Sequence, residues 1–177
     1  MSSSKEQFKQ IVNALNNKRI SNSSIKKLIL KHIKEKDFNI NQKFLKGKNI
    51  GHYTVQACES IPRRKKLIKF LSQNGLIFSI CDDYYDTLLH LAVRYNNIPL
   101  VKEIIKTKKI DINIGCELDM TVLHISVSEG YIDMVKLLLK LGCDPSLCDE
   151  KNNTPYDYAV DEKNQELIKL LDKYQRR

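Results

Sequence analysis

The chain has few of the patterns that would mark a membrane, secreted or nucleotide-binding protein. Its longest apolar stretches, such as Leu76–Phe78 and Leu137–Leu139, are only a few residues long, which excludes a transmembrane helix. The N-terminal residues lead into a polar helical pattern without an apolar core, so we expect no secretory signal and an intracellular protein. The six glycines do not cluster, so no glycine-rich loop is available to bind phosphate.

The cysteines and histidines also lack the spacing of a chemical site. The five cysteines are an odd number without a CxxC pair, so we expect small buried thiols in a reducing compartment. Cys143 and Cys148 lie five residues apart with no histidine after them, which does not match a zinc site. The four histidines belong to no HExxH motif or evident catalytic triad. We therefore predict no metal, no cofactor and no enzymatic activity.

What the chain does have is a globular composition with an uneven charge. Its 177 residues are 42% hydrophobic and 29% charged, which suits one ordinary domain or a short repeat array. Residues 1–76 hold 17 basic and 4 acidic side chains, whereas residues 77–177 hold 13 basic and 17 acidic ones. The basic half is compatible with nucleic acid or acidic partners, and equally with solvated lysines on helix faces.

An internal repeat dominates the second half of the chain. Three similar helix openings follow one another at intervals of 34 and 33 residues: Thr87-Leu88-Leu89-His90, Thr121-Val122-Leu123-His124 and Thr154-Pro155-Tyr156-Asp157. Each opening is followed at a fixed distance by a second apolar helical pattern. A weaker copy starts at Thr54, 33 residues before Thr87, and helical spacing continues upstream to Phe8.

The period, the T-x-L-H opening and the helix–loop–helix–hairpin order resemble the ankyrin-repeat family. The resemblance covers residues 76–172 and, in weaker form, residues 48–75 and 5–47. It implies an all-α solenoid of stacked helix pairs joined by hairpin loops. The expected division is an N-terminal helical cap over residues 1–47 and four repeats at about 48–80, 81–114, 115–147 and 148–177. The chain looks like the short stand-alone members of that family.

Several positions have a structural role that can be predicted. Threonine before an apolar helical run is an N-cap, and His90 and His124 are expected to bridge backbone groups rather than to catalyse a reaction. Tyr85 stands where the family usually has a glycine with positive φ, so either this hairpin is distorted or Tyr85 is placed for contact. The segment 41–49 predicts a first hairpin about seven residues longer than the later ones.

The basic tetrad, Arg63-Arg64-Lys65-Lys66, is the sharpest charged motif. It resembles a nuclear import signal or an anion-binding patch, and a solvated helix face is the alternative. Its place at the turn between paired helices predicts that all four side chains are exposed.

The resemblance also indicates which residues bind a partner. In ankyrin-like folds the hairpin tips and the ends of the first helices line a concave groove. The positions that match here are Asp83, Tyr84, Asp86, Arg94, Tyr95, Glu117, Leu118, Met120 and Glu129. This set is acidic with interspersed apolar side chains, so the implied partner is a basic, partly apolar protein.

The resemblance therefore implies a monomeric inhibitor or adaptor in the cytoplasm or nucleus, with host manipulation or signalling as its setting. A nucleic-acid or anionic-surface binder that uses the basic N-terminal half is the alternative function.

Overall fold

Ten α-helices and no strand occur in the residues that the computed structural model describes, which are 4–17, 19–34, 38–57 and 61–175. The helices are α1 (Ser4–Asn16), α2 (Asn22–Ile33), α3 (Ile50–Ala57), α4 (Ile61–Gln73), α5 (Leu88–Arg94), α6 (Ile98–Lys106), α7 (Val122–Ser128), α8 (Ile132–Lys140), α9 (Pro155–Asp161) and α10 (Gln165–Gln175). The predicted all-α class is confirmed. None of these helices is long and apolar enough to span a membrane.

Consecutive helices pack in pairs, and the pairs stack. The first helices α1, α3, α5, α7 and α9 form one row, in which each contacts the next. Among the second helices, α2 contacts α4, α4 contacts α6, and α8 contacts α10. One pair alone could not bury its apolar face, so the core forms between pairs and runs from Phe8 to Leu171. This is the predicted stacked solenoid.

Threonine N-caps begin three of the first helices, as predicted. The side-chain oxygens of Thr87, Thr121 and Thr154 each accept a hydrogen bond from the backbone N–H three residues later. That third residue returns a bond to the threonine N–H, which closes a capping box. It is a histidine in α5 and α7, but Asp157 in α9.

His90 joins its own helix to the following hairpin. Its Nδ1 accepts a hydrogen bond from the backbone N–H of Thr87 at 3.2 Å, so the neutral ring carries its proton on Nε2. Nε2 then donates to the carbonyl oxygen of Ile114 at 3.1 Å. The predicted structural role of this histidine is confirmed.

Two more histidines make the same link. His124 Nε2 donates to the Asn153 carbonyl at 3.1 Å. His52 Nε2 donates to the Asp86 carbonyl at 3.1 Å, and Asn49 caps the helix that carries His52. Each of the three rings therefore connects one helix pair to the hairpin that follows it.

The first copy of the capping motif consequently starts at Asn49, five residues before the Thr54 that the sequence aligned with Thr87. Thr54 lies inside α3, where its hydroxyl donates to the Ile50 carbonyl at 2.8 Å. The difference is absorbed after α3, because α4 has 13 residues against nine in α6. The alignment was wrong because asparagine replaces threonine at the cap. Glu59, which the same alignment used, lies outside the described residues.

The first hairpin is close to the others in length, so the predicted excess of seven residues is wrong. Sixteen residues, 34–49, separate α2 from α3. The later connections have 14, 15 and 14 residues, at 74–87, 107–121 and 141–154. The overestimate followed directly from starting the first copy at Thr54.

The cysteines agree only partly with the expectation of buried thiols. Cys116 and Cys143 are buried, and burial raises their pKa values to about 11 and about 12. Cys81 is half-buried. Cys148 is exposed because it lies in the loop between α8 and α9, and there the expectation is wrong. Cys58 lies outside the described residues.

Leu123→Ala or Leu138→Ala is expected to lower the free energy of unfolding by about 2–5 kcal/mol, because both side chains are fully buried in the stack. Lys140→Ala, at the exposed end of α8, is the matched control, with an expected change below about 0.5 kcal/mol. Chemical denaturation followed by circular dichroism measures both. Equal losses in the two classes would contradict the packing described above.

Acidification is expected to destabilise the fold through His90. Burial lowers the pKa of His90 from 6.5 to about 4, so the folded chain favours the neutral ring. This contribution is complete above pH 6.5 and is lost as the pH falls towards 4. The loss reaches about 3 kcal/mol at most. Urea denaturation at a series of pH values measures it.

The control for this prediction is His90→Gln, which cannot titrate. The variant should be less stable than the parent at neutral pH, because it cannot make both bonds of the ring. Its free energy of unfolding should also depend less steeply on pH between 6.5 and 4. Identical slopes would show that His90 is not the titrating group.

Candidate functional site

Two aspartates shape the second and fourth hairpins. Asp82 Oδ1 accepts hydrogen bonds from the backbone N–H groups of Tyr84 at 3.0 Å and Asp86 at 3.1 Å. Asp149 Oδ1 accepts two backbone N–H groups in the same way, at 2.8 and 2.9 Å. These bonds hold the tips of both hairpins in one defined turn.

Tyr85 occupies the left-handed position of the second tip, with φ of 59°. Its N–H donates to the Asp82 carbonyl at 3.0 Å, so the hairpin is regular and not distorted. The side chain is 64% exposed. A left-handed aromatic residue costs free energy that the fold does not recover in packing, which makes Tyr85 a candidate contact residue.

The third hairpin has Cys116 where the second and fourth have aspartate. A thiol is a much weaker acceptor than a carboxylate, and the tip closes instead as a 3₁₀ turn over Glu117–Asp119. Both Leu118 and Asp119 are left-handed in this turn, with φ of 61° and 55°. The Leu118 side chain is 46% exposed as a result.

The later tips together form a cleft of about 330 Å³. It is lined by Tyr85, Cys116, Glu117, Leu118, Asp119 and Glu150. The Glu150 N–H donates to the Leu118 carbonyl at 3.0 Å, which ties the fourth tip to the third. Three carboxyl groups thus surround an exposed leucine and a tyrosine ring.

Five of the nine predicted contact residues lie at or next to the tips. Asp83 and Glu117 are exposed, and Tyr84 is 49% exposed. Glu117 and Leu118 lie together in the cleft. Met120 is only half-buried and packs against the core, so it offers less surface than the others.

Asp86 is buried, so its expected exposure in the groove is wrong. The residue is 5% exposed, and its Oδ2 accepts a hydrogen bond from Arg94 Nε at 2.9 Å. Arg94 Nη2 also lies 3.8 Å from Cys116 Sγ. Burial raises the pKa of the Asp86 carboxyl, and the Arg94 guanidinium opposes the rise. The pair ties the second hairpin to α5 and to the third hairpin.

The other predicted residues lie at the far ends of the first helices. Tyr95 and Glu129 are the exposed C-caps of α5 and α7. A helix of this length places them about 10 Å from its N-terminal end and the tips. The Arg64 guanidinium lies 5.7 Å from the centre of the Tyr95 ring, within cation–π distance.

The basic tetrad is largely packed into the stack, so its expected full exposure is wrong. Arg63 Nη2 donates to the Ile20 carbonyl at 2.8 Å. Lys65 pairs with Glu103 at 3.5 Å, and the second arginine lies over the tyrosine ring described above. Lys66 alone of the four is exposed. Basic side chains at this turn connect neighbouring helix pairs.

Comparison with known families agrees with this architecture. A family model described as ankyrin repeats, in three copies, matches residues 89–176. The chain belongs to the ankyrin-repeat family. Ankyrin repeats are protein–protein interaction modules, and the family is generally a non-enzymatic scaffold. Within the described ranges, no group of three or more His, Cys, Asp or Glu side chains is arranged to hold a metal ion.

Three ankyrin-repeat relatives illustrate the range of similar proteins. The ankyrin repeat protein FPV022 of Fowlpox virus is 29% identical over 59% of this chain and 23% of its own length. NF-kappa-B inhibitor alpha of Mus musculus is 38% identical over 44% of this chain and 26% of its own. An ankyrin repeat protein of Rickettsia bellii is 32% identical over 62% of this chain and 59% of its own. The chain thus spans less than two thirds of each of these relatives.

Sequence reasoning about the ankyrin hairpins missed Tyr85 and Asp119 as lining residues of the cleft. Tyr85 carried a usable signal, because an aromatic residue at a position that requires positive φ has little structural reason to be there. Asp119 carried none, since its exposure depends on the 3₁₀ turn that follows Cys116.

Arg94→Ala is expected to lower the free energy of unfolding by about 1–3 kcal/mol, because it leaves the Asp86 carboxyl buried without its charged partner. The partial exposure of Arg94 keeps the loss at the lower end of that range. Asp86→Ala combined with Arg94→Ala should be less destabilising than the sum of the single changes. A double-mutant cycle by urea denaturation measures this coupling, and additive effects would contradict it.

Proposed function

We propose that this chain binds a basic, partly apolar segment of a partner protein on the concave face formed by its hairpin tips and first helices. The cleft between the later tips supports this most directly. Its charged lining is Glu117, Asp119 and Glu150, and these surround Leu118 beside Tyr85. A lysine or arginine next to an apolar side chain would complement both features of the cleft.

The charged and apolar side chains would have different roles in binding. The exposed carboxylates Asp83 and Glu117 lie at the rim, where charges mainly increase the association rate. Tyr84, Tyr85 and Leu118 are held on hydrogen-bonded tips and are partly exposed, so a partner can cover them at little entropic cost. Rigid tyrosines are common among the residues that supply most binding energy.

The relatives suggest how such binding would be used. NF-kappa-B inhibitor alpha is, by its name, an inhibitor of another protein, and a chain that covers a basic segment of its partner can act in that way. The relatives from Fowlpox virus and Rickettsia bellii are consistent with an inhibitor or adaptor that acts inside a host cell, in the cytoplasm or nucleus. We propose that the chain acts as a monomer.

A nucleic-acid or anionic-surface binder is the second candidate, favoured by the excess of basic residues in residues 1–76. The packing of the basic tetrad weakens this alternative, because three of its four side chains are engaged within the stack. Retention on heparin that collapses between low and high salt, with no protein partner captured, would support it.

Charge reversal of Asp83, Glu117 and Glu150 to lysine is expected to slow association about tenfold or more at low salt and much less at high salt. Truncation of Tyr84 and Leu118 to alanine should instead raise the dissociation rate at either salt concentration. The partner is first captured on the immobilised chain from a host lysate and identified by mass spectrometry. Surface plasmon resonance on the purified pair then gives both rates.

The matched control reverses Lys27 and Lys31, which are exposed on α2. This variant should keep both rates close to those of the parent, with every variant folded by circular dichroism. Loss of binding in the α2 variant, together with retained binding in the tip variants, would place the site on the basic half and overturn the proposal.

A further inference from the structure

We propose a second binding site at the N-terminal end of the stack, which takes an acidic segment of a protein partner and inserts one leucine or aromatic side chain into an apolar cleft. The cleft has a volume of about 470 Å³, within the range of ligand-binding pockets. It is lined by Lys5, Phe8, Lys9, Val12, Gln42, Lys43, Phe44, Leu45 and Tyr53. Its charge is opposite to that of the cleft between the later tips.

One wall of this cleft is a single face of α1. Lys5, Phe8, Lys9 and Val12 are spaced at i, i+3, i+4 and i+7, which places them on one side of the helix. Phe8 is buried and stacks on Phe44 of the first hairpin, with ring centres 3.4 Å apart. The apolar floor of the cleft is therefore fixed by the core.

The opposite wall is the first hairpin, which holds an apolar side chain in water. Leu45 is 76% exposed, the highest value among the large hydrophobic residues of the described chain that stand out as exposed. Its carbonyl accepts a hydrogen bond from the Tyr53 hydroxyl at 3.3 Å, and the Phe44 N–H donates to the Lys48 carbonyl at 2.9 Å. The exposed leucine is thus on a bonded turn rather than on a loose loop.

The rim of the cleft carries one sign of charge. Its charged lining residues, Lys5, Lys9 and Lys43, are all lysines and all exposed. The same positive potential is felt nearby at His52, where burial lowers the pKa and Lys48 and Lys43 lower it further. Carboxylates on either side of an inserted apolar group would meet this rim, which is the reason for proposing an acidic occupant.

The shape of the cleft favours a protein side chain over a lipid tail. The Leu45 wall is itself mostly exposed, so a long alkyl chain lying along it would stay partly in water. A single leucine or aromatic ring between Leu45 and α1 would be covered on both sides, as anchor residues are in protein interfaces. The first tip is also bonded to the second, since the Asp83 N–H donates to the Lys46 carbonyl at 3.1 Å. The two sites therefore belong to one row of tips.

The test is a titration of the isotopically labelled chain with a short synthetic peptide that carries phenylalanine and leucine between pairs of glutamates. Saturable amide shifts are expected at Val12, Phe44 and Leu45 in two-dimensional nuclear magnetic resonance spectra. Combined Lys5→Glu, Lys9→Glu and Lys43→Glu should weaken binding about tenfold or more at low salt. Leu45→Ser, at an exposed position, should weaken it as well.

The control chain carries Lys27→Glu, Lys31→Glu and Lys69→Glu, an equal change of charge on exposed positions of α2 and α4. It should bind within about twofold of the parent if the rim lysines act locally. A peptide with serine in place of phenylalanine and leucine should give no saturable shifts.

Four results would overturn the proposal. One is the absence of shifts with the acidic peptide at millimolar concentration, and another is equal weakening in the rim and control variants. A third is that palmitate shifts the same amides while the peptide does not. The last is that these amides shift as the chain alone is concentrated, with a rise in sedimenting mass, which would make a second copy the occupant. None of these outcomes depends on the basic partner proposed for the later tips.

Discussion

A neutral histidine ring buried between one helix pair and the next hairpin is the constraint on which the stack depends. A ring that accepts at Nδ1 has one proton to donate, and the rings of His52, His90 and His124 all donate it from Nε2 to a carbonyl of the following hairpin. Protonation of Nδ1 would direct an N–H group at a backbone N–H group. The bond that sets the position of each hairpin, and so the spacing of the tips, therefore requires the uncharged ring.

Much of the fold could be predicted because capping and burial leave a local signal. The threonine caps, the left-handed glycines Gly75 and Gly142, and the pairing of helices all follow from residues close in sequence. The first copy was misplaced because Asn49 does the work of threonine there, and cap chemistry accepts either residue. A pattern of letters does not show that equivalence, whereas the hydrogen bonds do.

The candidate site was harder to predict, because exposure is decided by the neighbouring repeat. Asp83 and Asp86 look alike in sequence, yet one is exposed and the other lies beneath Arg94. Likewise Arg63 reaches a carbonyl 43 residues away. Residue type predicted the sign of the charge along the tips, which is basic at the first and acidic at the second and third. It did not predict which charges the stack uses internally.

The last capping box ends this chain of links. Asp157 takes the place of the histidines, and its carboxylate accepts from both the N–H and the hydroxyl of Thr154. Those bonds lower the pKa of Asp157, so the group is ionised at neutral pH and has no proton to donate. A duplicated repeat inserted upstream would find a donor waiting for it, whereas one joined behind α9 would find only an acceptor. Growth of the array by duplication is therefore favoured in its interior and discouraged behind that helix by one side chain.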